Sequence, residues 1–255
     1  MSSVVLGLVA ALSWGDYDFL SRFPSRAVGP IPTVLAVTIS GLVALSAWVL
    51  IGGDGITIVW PKLWLVAIAG IFFALATLAL FAAFALGPIT LVAPIVASYP
   101  ALAMVFAVAH GARPTAWQWL SIGCVMAGVL IASRSGSNNE DAAELKAEMK
   151  TVLGLAVLSG VCFAVAITAG QAAVPIFGDV ETVWLARIFG LLTIGLIYLW
   201  RSPGAPLPLR WTVVSSAFAA VTVLLARLLL KEPIALIQLG GMVLIFGGVA
   251  ALAGL

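Results

Sequence analysis

Long apolar runs separated by short breaks of Gly, Pro or charge predict nine membrane-length helices. The runs, each about 18–25 residues, fall near 3–20, 32–52, 62–86, 89–109, 115–132, 151–174, 180–200, 211–230 and 234–254. None alternates every second residue over about ten positions, as a strand of a membrane barrel must, so helices satisfy the backbone in lipid. The one markedly hydrophilic stretch, Ser133 to Lys150, carries Arg134, Glu140, Asp141, Glu144, Lys146, Glu148 and Lys150. It reads as a linker that becomes a solvated helix after an Asn138-Asn139 cap, with partner binding as the alternative. Pro203-Gly204-Ala205-Pro206-Leu207-Pro208 predicts a rigid, non-helical connector. Met1-Ser2-Ser3 has no basic start and no small-x-small cleavage site follows, so the first span is expected to stay in the mature protein.

The pattern is also written twice. Val5-Leu6-Gly7-Leu8 recurs as Val152-Leu153-Gly154-Leu155, an offset of 147, and Thr33-Val34 with Gly41-Leu42 recurs as Thr182-Val183 with Gly190-Leu191, an offset of 149. Gln118 then matches Gln238 at an offset of only 120, so 149 − 120 = 29 residues are absent from the second copy. That is about the length of one spanning helix plus its turn. Five spans in the first copy is an odd number, so the second copy enters the membrane inverted. Inverted repeats are the plan of many secondary transporters. The predicted fold is an all-α, polytopic bundle of two inverted repeats and nine transmembrane helices. Residues 1–133 form the first repeat, 134–150 a polar linker and 151–255 a shortened second repeat of four helices.

Composition agrees with an integral, multi-pass membrane protein: 63% of residues are hydrophobic and 9% charged, against about 25% charged in soluble domains. The mean hydropathy is +1.21. The lipid bilayer is therefore the first partner. Sparse basic charge with no basic patch excludes nucleic acid. No span pair presents a Ser/His pair, a His-Glu-x-x-His cluster or an acidic lipid-phosphate motif, so an enzyme is not expected. Cys124 and Cys162 both fall inside apolar spans and read as buried free thiols.

At Ala97-Ser98-Tyr99-Pro100, at Gly111-Ala112-Arg113-Pro114-Thr115-Ala116-Trp117-Gln118-Trp119-Leu120, and at the span bearing Gly123 and Gly128, the chain resembles the EamA-like branch of the drug/metabolite transporter superfamily. That branch commonly reads Ser-Leu-Tyr-Pro, a helix, Gly-Glu-Arg, then Gln-Trp-Leu-Gly and a glycine-bearing helix. The second copy is similar at Ser216-Ala217-Phe218-Ala219, Leu230-Lys231-Glu232-Pro233, Gln238, Gly240-Gly241 and Gly247-Gly248. Trp14-Gly15 and Arg187 also resemble the family. The resemblance implies a ten-helix carrier of small organic solutes, set in the cell (inner) membrane and working without a cofactor. A homodimer is compatible with such a bundle.

The departures from that pattern are specific. Ala112 stands where the first copy would carry a glutamate, and Ala219 replaces a proline. The eighth helix has no room: Trp211 and Ser216 lie 5 residues apart, where Trp64 and Ser98 lie 34 apart. The resemblance places the eighth helix among those lining the central cavity. Two functions therefore stay open, a secondary carrier of metabolites or drugs and a truncated or scaffolding relative that does not transport. Loop charge leaves orientation open as well. Arg22, Arg26, Arg134, Lys146, Lys150, Arg201 and Arg210 share one side and would draw it to the cytoplasm with the N-terminus outside. The resemblance implies the reverse.

Ionisable and polar groups within spans are the functional pointers, because a charge at bilayer depth costs roughly 2.5–3.5 kcal/mol on insertion scales. The candidate substrate-binding residues are Trp14, Asp16, Tyr17, Ser98, Tyr99, Pro100, Gln171, Arg187, Ser216 and Phe218. Asp16 could carry a coupling proton or meet a cationic group, or could form with Asp18 a hydrated interfacial pair held by Arg22. Trp14 and Tyr17 suit an aromatic belt as well as a cavity. Arg187 could bind an anion, snorkel, or pair with Glu181. Gln171 could contact solute or bond helix to helix. Pro100 removes a backbone hydrogen bond inside an apolar span and frees a carbonyl, beside the ring and hydroxyl of Tyr99. An ordinary packing kink is the alternative. Ser216 and Phe218 occupy the related positions in the second copy.

Overall fold

The computed structural model describes residues 14, 17–52, 58–109, 111, 113–116, 119, 123 and 144–208. Every regular element among them is helical. Among the described residues, five helical stretches are long and apolar enough to cross a membrane: Pro30–Ala47, Trp60–Leu86, Leu91–Ala109, Met149–Phe177 and Asp179–Arg201. They match the predicted second, third, fourth, sixth and seventh spans to within a few residues. The spans predicted near 3–20, 115–132, 211–230 and 234–254 lie wholly or largely outside the described residues, as do Cys124 and the Asn138-Asn139 cap.

The chain separates into two compact units, Met1–Gly55 with Tyr198–Leu255, and Ile56–Ile197. In the first unit, helix α1 covers 17–27 and α2 covers Pro30–Gly52. Gly29 joins them at φ +95°, a conformation glycine adopts without steric cost. Proline then opens α2, where a missing N–H would have had no helical partner. Hydroxyls in these helices satisfy themselves on the preceding turn: Ser25 Oγ donates to Ser21 O at 2.7 Å, Thr33 Oγ1 to Gly29 O at 2.8 Å and Thr38 Oγ1 to Val34 O at 2.7 Å. This is how a polar side chain is accommodated where water is absent. The connector after Arg201 is non-helical as expected, pinned by the Tyr198 hydroxyl donating to Ala205 O at 2.6 Å.

In the second unit a 3-10 turn at Trp60–Lys62 leads into α3, Leu63–Leu86. Helices α4 (Ile89–Val96), α5 (Tyr99–Ala109), α6 (Glu144–Phe177) and α7 (Asp179–Arg201) follow. Trp60 and Trp64 at the start of α3 are exposed, as anchors at a headgroup boundary are. The α3 and α6 helices form the core pair. Gly87 meets Val152, Ser159 bonds the carbonyl of Ala76, Phe73 stacks on Phe163, and Leu65 and Val66 cluster with Ala173 and Phe177. Numbers fall along α3 as they rise along α6, so the two are antiparallel.

Small residues let these helices approach closely, which matters because lipid supplies no hydrophobic drive for helix association. Buried Ala69, Ala76 and Ala83 on α3 and Ala156, Ala164 and Ala173 on α6 are examples. Helix α7 crosses α3 at a tighter point. A Cβ built on Gly70 would lie 2.0 Å from the Ala186 carbonyl oxygen, and one on Gly190 would lie 3.2 Å from Gly70 O. Only glycine at position 70 fits there. Between α6 and α7, Gly178 makes the turn alone at φ +92°, its N–H capping Val174 O at 2.9 Å. Asp179 and Glu181 then occupy the first turn of α7, where the helix dipole favours acid.

Candidate functional site

The fourth span is broken. The apolar run over 89–109 predicts one span opened at Pro100; α4 stops at Val96 and α5 starts at Tyr99, with Ala97 and Ser98 in a turn. Pro100 is the cause, and the break falls upstream because a proline withholds its N–H from the carbonyl four residues before it and its ring crowds that carbonyl. The affected carbonyl is that of Val96. The Ala97 N–H closes α4 on Ala93 O at 2.8 Å, and Ile95 O takes both the Ser98 N–H at 3.2 Å and the Ser98 hydroxyl at 2.6 Å. The Ala101 N–H goes to Ser98 O at 3.0 Å. Val96 O and Ala97 O are thus left without their helical donors.

Helix α6 lies against this break. Gly160 faces it, since a Cβ there would stand 3.9 Å from both Ile95 O and Val96 O. One turn on, Phe163 is buried with its ring 5.9 Å from that of Tyr99 and 5.4 Å from that of Phe73, the latter edge-on. Edge-on packing sets a ring's positive rim against the other's negative face. Next to Gly160, the buried Ser159 hydroxyl donates to Ala76 O at 2.9 Å and ties α6 to α3. Ala97 and Pro100 are exposed, while Ser98 and Tyr99 are half-buried. The broken segment thus has one packed side and one open side. Tyr99 and Phe163 align as Ile95 and Gly160 do, so α4 and α5 run parallel to α6.

Of the other candidates in this unit, Gln171 is exposed on α6, about 12 Å beyond Phe163 along the axis at 1.5 Å per residue. Its amide forms no helix-to-helix hydrogen bond among the described residues. Arg187 is half-buried on α7, beside the Ala186 carbonyl that abuts Gly70. Buried Cys162 is a free thiol, as expected.

In the first unit Trp14 is exposed, and half-buried Tyr17 offers its carbonyl to the Ser21 hydroxyl. Ser21 and Ser25 are fully buried on the same face of α1. On that helix Asp18 Oδ1 and Arg22 Nε, one turn apart, are both buried and have no hydrogen-bond partner among the described residues. Asp16, Ser216 and Phe218 lie outside the described residues. Ser98, Tyr99 and Pro100 therefore lie together at the break, which Gly160 and Phe163 of α6 pack against, neither of which the sequence singles out. Periodicity marks Gly160 and Phe163 only as interior positions, and nothing in the local sequence announces the buried oxygen of Asp18.

The EamA-like transporter family matches residues 1–134. No match was found among curated proteins or among solved structures. The matched segment is just over half of the 255 residues, and it contains both the broken fourth span and the apolar helices that precede it. The chain is a membrane protein of the EamA-like transporter family.

Proposed function

We propose that the protein is a secondary carrier of small organic solutes, working by alternating access in the cell (inner) membrane, not an enzyme. The observation that carries this is the broken membrane helix at Ala97–Ser98 inside the matched segment. Irregular backbone at bilayer depth survives only where it is buried in protein or lines a water-filled cavity, and carriers build solute sites from such breaks. Ser98, Tyr99 and Pro100 are its first contacts. Ser216 and Phe218 are their counterparts in the second repeat, and Trp14, Asp16, Tyr17, Gln171 and Arg187 are secondary candidates. Asp18, with a buried carboxylate oxygen, joins Asp16 as a candidate carrier of a coupling proton.

The architecture behind this reading is nine helices in two inverted repeats, 1–133 and 151–255, joined by the linker 134–150. The parallel course of α4–α5 and α6 supports it, since two parallel helices in one membrane need an odd number of crossings between them. A fifth span over 115–132 supplies that crossing. The shortened second copy gives specific weight to one rival, a scaffolding relative that inserts but does not cycle. Efflux and uptake of a mixed amino-acid and drug panel, measured for this chain and for a version given a duplicate-derived eighth helix, separates the two. Flux by the chain as it stands supports the carrier. Flux only after restoration refutes it in favour of the truncated relative.

A further inference from the structure

The geometry points to a binding site for a monovalent cation at the break between α4 and α5, made by the carbonyl oxygens of Val96 and Ala97 and kept open by Gly160. Three observations converge on it. Pro100 has no N–H for Val96 O, and Ala101 directs its N–H to Ser98 O, so two adjacent carbonyls lack helical donors. They lie roughly 10–12 Å along the span from Ile89 at about 1.5 Å per residue, against a hydrocarbon core about 30 Å thick. Lipid offers no hydrogen bond in place of the lost donors, so protein, cavity water or a bound cation must satisfy them.

The second observation is the electrostatic character of the position. These oxygens terminate α4, and the carbonyl end of a helix carries the negative pole of its dipole, which attracts cations. No Lys, Arg or His lies between Ile89 and Ala109 to occupy them. The Tyr99 side chain, half-buried beside the break, packs its ring 5.9 Å from that of Phe163.

The third is Gly160 itself. A methyl there would sit 3.9 Å from Ile95 O and Val96 O, an ordinary contact distance, so alanine fits and packing does not explain the glycine. What alanine would do is set an apolar group against Val96 O, the freed oxygen that Gly160 faces. The site takes either an alkali ion or the ammonium group of a solute. It deepens the carrier reading by naming the charge that the broken helix handles, but binding can be read without any flux.

The test uses the purified full chain in nanodiscs, with radiolabelled sodium and radiolabelled benzylammonium as probes and choline holding ionic strength constant. Saturable sodium binding identifies an ion site, and benzylammonium binding without sodium binding identifies a solute headgroup. Gly160→Ala should weaken whichever probe binds by roughly tenfold or more, the worth of one lost charge-assisted contact. Its unfolding midpoint without probe should equal or exceed that of the unaltered chain. Pro100→Ala, which returns a donor to Val96 O, should cause the same loss and decides the matter alone if Gly160→Ala does not fold. The proposal is overturned if neither probe binds saturably, or if the variants lose less than that. Binding without flux of any solute would leave the site standing and remove the carrier.

Discussion

Gly70→Ala is the substitution whose outcome the geometry constrains most tightly. The added methyl would lie 2.0 Å from Ala186 O and 2.8 Å from Ala186 C, both backbone atoms of α7 that no rotamer change can move. Reaching the 3.0 Å that real Cβ atoms respect requires α3 and α7 to part by 1.0 Å at their crossing. Overpacking of this kind costs about 1–3 kcal/mol. The same change recovers about 0.5–1 kcal/mol, because glycine in a helix interior gives up more backbone entropy than alanine. The expected net destabilisation is about 1–2 kcal/mol, a factor of roughly 5–30 in the folded ratio. Gly195→Ala on the same α7 is the control: nothing lies within 4 Å of its added methyl, so only the entropic gain should remain. Unfolding of the purified protein by rising SDS fraction in mixed micelles reads both. If Gly70→Ala proves as stable as Gly195→Ala, the close crossing of α3 and α7 at Gly70 is wrong.

Other substitutions probe the remaining joints. Ser159→Ala removes the buried bond from α6 to Ala76 O and should cost about 0.5–1.5 kcal/mol in the same assay; no loss would mean the hydroxyl is satisfied on its own helix. Gly178→Ala forces a side chain into φ +92° and should cost about 1–2 kcal/mol, whereas Gly154→Ala, with open space around it, should not destabilise. Asp18→Asn removes the charge from a buried, unpartnered oxygen, so stability should hold or rise by about 1 kcal/mol while the pH dependence of solute flux disappears. A retained pH dependence would return the coupling role to Asp16 or remove it altogether.

The spans were legible because a membrane helix advertises itself by length and apolarity, with no partner needed to define it. The bounds predicted near 62–86, 151–174 and 180–200 fall within a few residues of the observed Leu63–Leu86, Glu144–Phe177 and Asp179–Arg201, apart from the polar N-terminal extension of the sixth helix. That extension, through Glu144, was legible too, because a polar helix can continue an apolar one without a break. The broken fourth span was half legible. Proline announces a missing N–H, but which carbonyls lose their donors depends on the turn the chain then takes, and that turn is a compromise among Ser98, Ala101 and the surface of α6.

By itself the sequence determined that this is a helical membrane protein, where the spans among the described residues fall to within a few residues, and that its first half carries the marks of the EamA-like transporters, since hydropathy, chain-breaking residues and motif spacing are local properties. The tertiary structure alone decided which side chains meet. That Phe163 stacks on Tyr99, that Gly160 looks onto the carbonyl of Val96 and that Gly70 receives Ala186 follow from the antiparallel fit of α3 to α6 and the crossing of α7. An apolar helix in lipid is nearly indifferent to its rotation until small residues let a neighbour in, so those contacts are fixed only by the assembled pair.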